Sequence, residues 1–250
     1  MGMSRRERER KERADLILRV GRKLLLERGY LGLTMDRIAS ATEYSKGTIY
    51  QHFRNKEEVV LALAIETAEV RVAFFERAAT FRGRPRERMS AVGLAAELLV
   101  RLHPEHLRSE LIVAASSVRD KVSSERQAEL QGCEHRCMGI AAGIVRDAVA
   151  AGDLVLPEGS TPETLSFGLW SLCYGSFVLI ATEQLHLGPL GIREPLLALA
   201  QSQQRLLDGY GWAPLSEREA SRATRERILT EVFPEEHKAL AAIASQARGS

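Results

Sequence analysis

The segment TMDRIASATEYSKGTIYQHF, residues 34–53, decides the fold of this chain. Its pattern predicts two short helices joined by a tight turn at residues 42–44. Thr34 suits an N-cap, because its hydroxyl can accept a hydrogen bond from a first-turn N–H group that otherwise lacks a partner. Ser45 is the N-cap candidate of the second helix for the same reason. The segment therefore predicts a helix-turn-helix unit.

The second helix of this unit opens with Lys46, Gly47 and Thr48. Ile49 and Phe53 are four residues apart and can face inward together. Gly47 costs roughly 1 kcal/mol relative to alanine in a helix, and close approach to an external surface is the simplest compensation. Helices whose early residues meet base edges and phosphates are typical of DNA recognition. A surface helical hairpin with merely solvated side chains is the alternative.

The residues expected to contact DNA lie in and around this helix. They are Thr34, Tyr44, Ser45, Lys46, Gly47, Thr48, Tyr50, His52 and Lys56. Ser45, Lys46, Thr48 and Tyr50 are expected to make most contacts, with support on phosphate from the others. Lys56 stands in the first turn of the next helix, where a cation opposes the helix dipole. Pairing with a DNA phosphate would explain that placement.

Residues 38–39 (IA), 45–53 (SKGTIYQHF) and 55–58 (NKEE) resemble the DNA-binding domain of TetR-family transcriptional regulators. The resemblance covers roughly residues 12 to 65. It implies an all-α fold, with an N-terminal three-helix helix-turn-helix DNA-binding head on a larger helical-bundle body for ligand binding and dimerisation. The family usually has a glycine and a small aliphatic residue in the turn, where this chain has Glu43 and Tyr44. The turn must therefore form without its glycine.

Length and composition fit a globular protein. The 250 residues allow one large domain or two small ones, and we expect a DNA-binding domain at 1–56 and a ligand-binding and dimerisation domain at 57–250. No run approaches the ~18 apolar residues of a membrane span, and the charged N-terminus lacks the apolar core of a signal peptide. We therefore expect a cytoplasmic protein without membrane association. Three cysteines, an odd number, argue against a disulfide framework.

Positive charge is concentrated near the N-terminus. Residues 1–60 hold 14 Lys/Arg and 9 Asp/Glu, whereas the remainder holds 21 of the 35 basic residues and 24 of the 33 acidic ones. A basic first segment on a mildly acidic body favours a DNA-binding head. Within it, residues 4–11 alternate in charge sign, and Arg5, Arg6 and Arg8 could reach phosphate. A frayed helical start or a mobile arm is expected here, and solvated side chains are favoured over phosphate contacts.

The rest of the chain has almost no strand signal and predicts about ten to eleven helices in all. Helices are expected at Glu12–Arg28, Asn55–Ala79, Pro85–Leu102, Glu105–Arg119, Ser124–Ala151, Thr161–His186, Pro195–Asp208, Ser216–Phe233 and from Pro234 onward. The expected core of the head is Leu16, Val20, Leu24, Ile38, Ile49 and Phe53. Gly29 is expected to end the first helix, and Asn55 with Glu58 and Ser216 with Glu219 are candidate capping boxes. The resembling family ordinarily ends near residue 208, so residues 212–250 form a C-terminal extension. Strengthening a dimer and wrapping the body both stay open as its role.

The helix at 161–186 is unusually apolar and carries the small residues Gly168, Ser171, Gly175 and Ser176. Small residues on a shared face allow another helix to approach closely. We interpret this helix and the helix at 195–208 as a homodimer interface, with two recognition helices about one DNA turn apart on a palindromic operator. The central core helix of a monomer is the alternative.

The resemblance implies that the body binds a small-molecule effector. Apolar or amphipathic residues that could enclose the cavity are Met89, His103, Met138, Phe167, Trp170 and Tyr174. Each of them, taken alone, is more simply explained by core packing. The sequence does not identify the effector.

Cys133, His135 and Cys137 suggest a metal site at first sight. The two cysteines share a helix face, but His135 points elsewhere, and two ligands do not make a zinc site. Buried cysteines acting as small apolar residues are favoured, so we expect no metal and no cofactor. No recognisable catalytic set or phosphate-binding loop indicates an enzyme.

These patterns predict a dimeric, ligand-responsive transcriptional repressor that binds double-stranded DNA at a palindromic operator and is released by its effector. One alternative is a small-molecule-binding enzyme or carrier with a vestigial head. The other is an activator, or a DNA binder with little sequence preference.

Overall fold

The computed structural model describes residues 4–114, 118, 121–182 and 186–249. The regular elements in these ranges are all α-helices, which confirms the predicted fold class. They are α1 Arg5–Gly32, α2 Met35–Thr42, α3 Lys46–His52, α4 Lys56–Ala79, α5 Pro85–Leu102, α6 Pro104–Ala114, α7 Ser124–Ala150, α8 Pro162–Thr182, α9 Pro195–Gly209, α10 Arg218–Glu231 and α11 Pro234–Gly249.

The chain divides into two compact units. The first comprises Met1–Ala68 and Glu105–Gly132, and the second comprises Glu69–Pro104 and Cys133–Ser250. The first unit contains the helix-turn-helix segment, and the second contains α8 to α11. The functional boundary after residue 56 stays a prediction.

α1 is longer than its apolar pattern predicted. Ser4 caps it reciprocally: the Glu7 N–H donates to Ser4 Oγ at 3.3 Å, and the Ser4 N–H donates to the Glu7 carboxylate at 2.7 Å. Of the two alternatives for residues 4–11, the structure therefore shows the helical start, capped at its first turn, and not a mobile arm. At Gly29, the predicted stop, the backbone leaves the helical region with φ of 66°, a value that glycine adopts without a Cβ clash.

The buried face of α1 differs from the predicted one. Its buried residues are Ile17, Leu18, Gly21 and Leu25. Leu16, Val20 and Leu24 are only half-buried. A Cβ added at Gly21 would come within 2.9 Å of Val59 Cγ1, so the close contact with α4 determines which face of α1 turns inward. The predicted core residues outside α1, namely Ile38, Ile49 and Phe53, are buried.

Most predicted helix bounds in the body agree with the structure to within two residues. Two helices were predicted into stretches outside the described residues. The helix expected to reach Arg119 is helical to Ala114, and residues 115–117, 119 and 120 are not described. The helix expected to reach His186 is helical to Thr182, followed by residues 183–185, which are not described either. His186 itself is not helical.

The C-terminal extension packs on its own chain. Trp212 and Phe233 are completely buried, and α10 and α11 both contact α5. Arg225 donates two hydrogen bonds to the buried Glu97 of α5, at 2.8 and 2.9 Å. The extension therefore packs on the body of its own chain, and a role in strengthening a dimer stays a prediction.

A buried ion pair fixes the start of this extension. Arg86 is 4% exposed and donates to Asp208 Oδ1 at 2.6 Å and to the Trp212 carbonyl. The Ser216 N–H donates to Asp208 at 2.8 Å. Ser216 was predicted to cap α10, but that N-cap is Glu217. Ser216 is instead used to bind Asp208.

Candidate nucleic-acid interface

The turn between α2 and α3 forms around a left-handed residue. Thr34 caps α2 as predicted, with its Oγ1 accepting from the Arg37 N–H at 3.3 Å. Glu43 ends the helix with φ of 57° and ψ of 21°, and its N–H donates back to carbonyls of α2. Among the described residues, it is the one position other than glycine with positive φ. A non-glycine residue pays roughly 1–2 kcal/mol for this conformation, so the turn is formed at a local cost.

α3 begins with a hydroxyl pair. Ser45 Oγ accepts from the Thr48 N–H at 3.1 Å, as predicted for an N-cap, and lies 2.9 Å from Thr48 Oγ1. Ser45 is exposed and Thr48 is half-exposed. The pair orders the first turn of α3 while leaving hydroxyl oxygens at the surface. Such groups can meet base edges or phosphates.

Lys46 is held by an exchangeable ion pair across the turn. Its Nζ lies 2.8 Å from the Asp36 carboxylate, and the two side chains are 62% and 65% exposed. A pair so exposed contributes little stability, typically less than about 1 kcal/mol. The hydrogen bond and charge of Asp36 raise the pKa of Lys46. Lys46 therefore stays protonated, and an anion that binds it more strongly can replace Asp36 as its partner.

No contact in the described part of the chain requires glycine at position 47. It is exposed, its φ is not positive, and a Cβ added there would meet only Ser45 Oγ at 3.7 Å. Alanine would fit and would favour the helix. The absence of a side chain leaves the backbone of α3 open to close approach from outside.

The aromatic residues of this region differ in exposure. Tyr50 is 51% exposed on α3, while Tyr44 and His52 are half-buried. Burial lowers the pKa of His52, and the positive charges of Arg10 and Arg13 lower it further. His52 is therefore a neutral hydrogen-bonding group at pH 7, positioned next to cations of α1.

The Lys56 side chain contacts Tyr30, near the C-terminal end of α1. Its Nζ donates to the Tyr30 carbonyl at 3.0 Å and lies 4.1 Å from the centre of the Tyr30 ring. The Tyr30 hydroxyl in turn donates to Glu57 at 2.7 Å. Burial and the Glu57 carboxylate raise the pKa of Tyr30 to about 12. The predicted contact of Lys56 with phosphate stays a prediction.

The sequence missed a support behind α3 that comes from distant residues. Arg126, at the start of α7, lies 2.6 Å from the buried Glu58 carboxylate and 5.4 Å from the Phe53 ring centre. The Ser123 N–H also donates to Glu58, at 3.0 Å. Glu58 was expected to complete a capping box with Asn55, but only Asn55 caps α4, accepting from the Glu58 N–H at 2.8 Å. No local pattern signals a contact between residues 68 positions apart.

Five of the predicted effector residues lie on the three helices α5, α7 and α8, and they differ in exposure. Met89 is buried, Met138, Trp170 and Tyr174 are half-buried, and Phe167 is 65% exposed. His103 follows α5 and is also half-buried. The Trp170 ring makes an edge contact with Phe75 at 6.4 Å and lies 5.0 Å from the Arg71 guanidinium. An effector pocket at these residues stays a prediction.

A small cavity of about 10 Å³ opens in the first unit, between Leu61, Gln127, Leu130 and Gln131. This volume holds about one water molecule. It involves none of the predicted effector residues.

The cysteines behave as apolar residues. Cys133 and Cys137 are buried on α7, whereas His135 between them is exposed. Burial raises the pKa of Cys137 and raises that of Cys173 to about 11, so both thiols are neutral at pH 7. The histidine points away from the two sulfurs, as the helical spacing predicted.

Comparisons with known proteins agree with this geometry. Residues 17–63 match the family model of bacterial regulatory proteins of the tetR family. The HTH-type transcriptional repressor AcnR of Corynebacterium efficiens is 46% identical over 52 residues, which are 21% of this chain and 28% of that protein. The alignment thus spans little more than a quarter of that relative.

Longer alignments extend into the body. The HTH-type transcriptional regulator UidR of Escherichia coli K12 is 26% identical over 169 residues, 68% of this chain and 82% of that protein. The structure of FadR from Bacillus subtilis, in complex with stearoyl-CoA, has a TM-score of 0.60 at 18% identity, covering 77% of this chain and 96% of that chain. At this identity the likeness shows a shared fold. The helix-turn-helix geometry thus lies within residues 17–63, the segment that matches the model of bacterial regulatory proteins of the tetR family.

Proposed function

We propose that this protein is a dimeric transcriptional repressor that binds a palindromic operator through α3 and is released by a small-molecule effector. The observation that carries the proposal is the tip of α3. Residues 45–50, here called the reading tip, combine surface hydroxyls, a replaceable ion pair and a glycine that the protein itself does not need. Within a TetR-family DNA-binding domain, these are the properties of a surface reserved for the major groove.

Binding exchanges one anion for another. On docking, Lys46 leaves the Asp36 carboxylate and pairs with a DNA phosphate, whose neighbours add to the local negative potential. The gain exceeds the loss because the Lys46–Asp36 pair is already weakened by solvent. Gly47 lets the backbone of α3 come close, while Ser45, Thr48 and Tyr50 reach base edges or phosphates. Thr34, Tyr44, His52 and Lys56 support this contact from the flanks.

A footprint and a salt titration test the proposal. DNA upstream of the gene for this protein is used first for footprinting and then for gel-shift titration from 50 to 200 mM salt. Lys46→Ala should weaken binding and reduce the salt slope by about one per lost phosphate contact. The control is Lys238→Ala, which removes a lysine that is 74% exposed and pairs with Glu235 at 2.9 Å in α11. Equal effects of the two variants, or no protected sequence, would contradict the proposal.

Dimerisation is supported by an apolar face of α8. Phe167, Ser171, Gly175 and Leu179 succeed one another at four-residue spacing and are all exposed. Leu197 of the adjoining α9 is 46% exposed. α8 is also long and apolar enough, by composition alone, to cross a membrane, with only 22% of its apolar window buried; the sequence had suggested that no segment was. In a cytoplasmic regulator, a second copy of the chain is the partner that such a face requires.

Light scattering tests the dimer. The wild-type protein should have twice the protomer mass without detergent, and Gly175→Arg should give monomers that remain helical. Glu219→Arg, on the exposed surface of α10, serves as the charge-changing control. A monomeric wild-type protein at micromolar concentration would contradict this part of the proposal.

The effector is expected to carry an anionic group beside an apolar body. The predicted effector residues are apolar or aromatic, and Arg71 brings a positive charge against the Trp170 ring. The related FadR fold was solved with stearoyl-CoA, a ligand with both characters. Fatty acids and acyl-CoA esters of several chain lengths should therefore raise the Tm and release DNA, in parallel. Arg71→Gln should weaken both effects, while neutral fatty alcohols should be poor effectors.

A further inference from the structure

The first turns of α1 form a basic surface outside the helix-turn-helix itself. Residues 5–13 contain six basic and three acidic side chains. Arg6, Arg10 and Arg13 follow at four- and three-residue spacing, which places them on one helix face. We call these three residues the α1 basic face. Because α1 rises 1.5 Å per residue, the face is about 10 Å long, roughly the axial length of three base pairs.

This surface is ordered by its own helix. The capping box of Ser4 and Glu7 fixes its first turn, and the same helix continues to Ile17 and Leu25, which are completely buried in the head. The arginines are therefore presented on a rigid element and not on a loose tail. Less side-chain entropy is lost when pre-organised cations bind a partner.

The acidic residues of this segment neutralise only part of the charge. Glu9 pairs with Arg5 at 2.8 Å and with Arg13 at 3.7 Å, and Glu7 is used by the cap. Among the residues that the structure describes, no carboxylate lies within 4 Å of Arg6 or Arg10. Both side chains are exposed. The Arg6 and Arg10 side chains thus face solvent, next to an Arg5–Glu9 ion pair that is itself exposed.

The α1 basic face lies next to the end of the recognition helix. α1 packs on α2 and α2 packs on α3 within one compact unit, and the charges of Arg10 and Arg13 lower the pKa of His52, the last residue of α3. A duplex that receives the reading tip in its major groove continues past this end of α3. Its phosphates are the nearest dense array of negative charge that these arginines can meet.

We propose that the α1 basic face binds backbone phosphates flanking the bases read by α3, so that the protein needs a duplex longer than the palindrome itself. The inference rests on the proposed function, because it assumes that α3 docks on DNA. Arg6 and Arg10 hold the two flanks of the operator, one pair on each protomer, and fix the register of the head. They contribute affinity and salt dependence without sequence preference.

Two duplexes separate this contact from that of the reading tip. One contains only the palindrome within the footprint, and the other adds ten base pairs on each side. The test variant is the double substitution Arg6→Gln, Arg10→Gln, since glutamine keeps the helix propensity of arginine. Four contacts per dimer at about 0.9 each in salt slope correspond to about 100-fold in affinity between 50 and 200 mM salt. The wild type should therefore lose about 100-fold more affinity than the variant on the long duplex, and both should behave alike on the short one.

The chain offers a matched control. Arg218 and Arg222 of α10 have the same four-residue spacing on an exposed helix face, and their double substitution to glutamine removes the same charge. It should leave both slopes unchanged. Helical content and Tm are measured for each variant, so that a folding defect is recognised.

Each outcome has a definite meaning. An unchanged long-duplex slope in the Arg6→Gln, Arg10→Gln variant, with normal binding of the short duplex, would overturn this inference alone. An equal loss on both duplexes, or an equal loss in the control, would overturn it as well, because the contact would not lie on the flanks. If the wild type bound neither duplex in a salt-dependent way, the proposed function would fail together with it.

Discussion

The reading tip and the C-terminal extension use similar residues for opposite purposes. At the reading tip, Lys46 meets Asp36 in an ion pair that is more than 60% exposed on both sides. At the start of the extension, Arg86 meets Asp208 with only 5% of the arginine side chain exposed. The first pair costs little to open, whereas the second cannot be opened without leaving a buried charge. Exposure, more than chemical type, distinguishes the Lys46–Asp36 pair at the surface from the Arg86–Asp208 pair that holds the extension.

The largest expected effect comes from removing an aromatic side chain of the extension. Phe233 is completely buried, stacks on Phe74 at 5.6 Å and lies under Arg77 at 4.7 Å. Phe233→Ala should therefore reduce the free energy of unfolding by about 3–5 kcal/mol. Tyr50→Ala at the reading tip should change it by less than about 0.5 kcal/mol. Urea unfolding measures both, and similar losses in the two variants would refute the contrast.

A smaller effect is expected from the Arg86–Asp208 pair, and it should depend on pH. Burial alone would raise the pKa of Asp208, but hydrogen bonds from Ser216 and Arg86 outweigh it and leave the pKa lowered. Since the folded pKa is below the unfolded value of about 3.9, the stabilisation is present above that value and is lost as pH falls through the folded pKa. Asp208→Asn should cost about 2 kcal/mol at pH 7.

The pH profile is the sharper measurement for this pair. The difference in unfolding free energy between wild type and Asp208→Asn should shrink as the pH is lowered through the acid range. Asp36→Asn provides the exposed counterpart and should change stability by less than about 1 kcal/mol at any pH. A constant difference for Asp208→Asn would mean that its carboxylate charge is not what holds the extension.

The same contrast explains what the sequence could predict. The caps at Thr34, Ser45 and Asn55 and the stop at Gly29 were predictable, because each depends on hydrogen bonds within four residues. That polar residues of the reading tip face solvent was predictable too, because it follows from the local pattern of polar residues around the inward-facing Ile49. The DNA-binding roles assigned to these residues remain predictions until the variants above are measured.

Long-range contacts could not be predicted from local patterns. The inward face of α1 was misjudged because it depends on how closely Gly21 approaches Val59, not on the apolar period of α1 alone. The support of α3 by Arg126 and the use of Ser216 by Asp208 join segments that have no shared motif. Such pairs are decided by packing, which a single sequence does not display.

A third prediction separates the effect of Gly47 on folding stability from its effect on DNA affinity. Gly47→Ala should increase the free energy of unfolding by about 0.5–1 kcal/mol, because alanine favours the helix and its Cβ meets no obstacle closer than 3.7 Å. The same methyl group should weaken DNA binding if the backbone of α3 approaches the duplex there. Gly139→Ala is the control, since that helical glycine also has open space around it. It should stabilise the protein without changing DNA binding; parallel effects in both variants would remove Gly47 from the interface.

The turn at Glu43 offers a change of similar or smaller size. Glu43→Gly should increase stability by up to about 1 kcal/mol, since glycine relieves the left-handed backbone but adds entropy to the unfolded chain. Glu43→Asn should lie between glutamate and glycine, because asparagine tolerates this conformation better than most residues. Thermal unfolding gives the order of the three proteins. If glutamate proved the most stable, its side chain would have to contribute more than the strain costs.

The smallest expected effect is the titration of His52, which reports how α1 and α3 are arranged. NMR of the free protein should give His52 a pKa below the usual value of about 6.5, because of burial first and of Arg10 and Arg13 second. A lowered folded pKa means that protonation favours the unfolded state, so stability should decline slightly as pH falls below that usual value. Arg10→Gln should raise the pKa of His52, whereas Arg19→Gln, which alters an exposed arginine further along α1, should not. A His52 that titrates alike in both variants would show that the α1 basic face is not next to the recognition helix, and the flanking phosphate contact would lose its geometric basis.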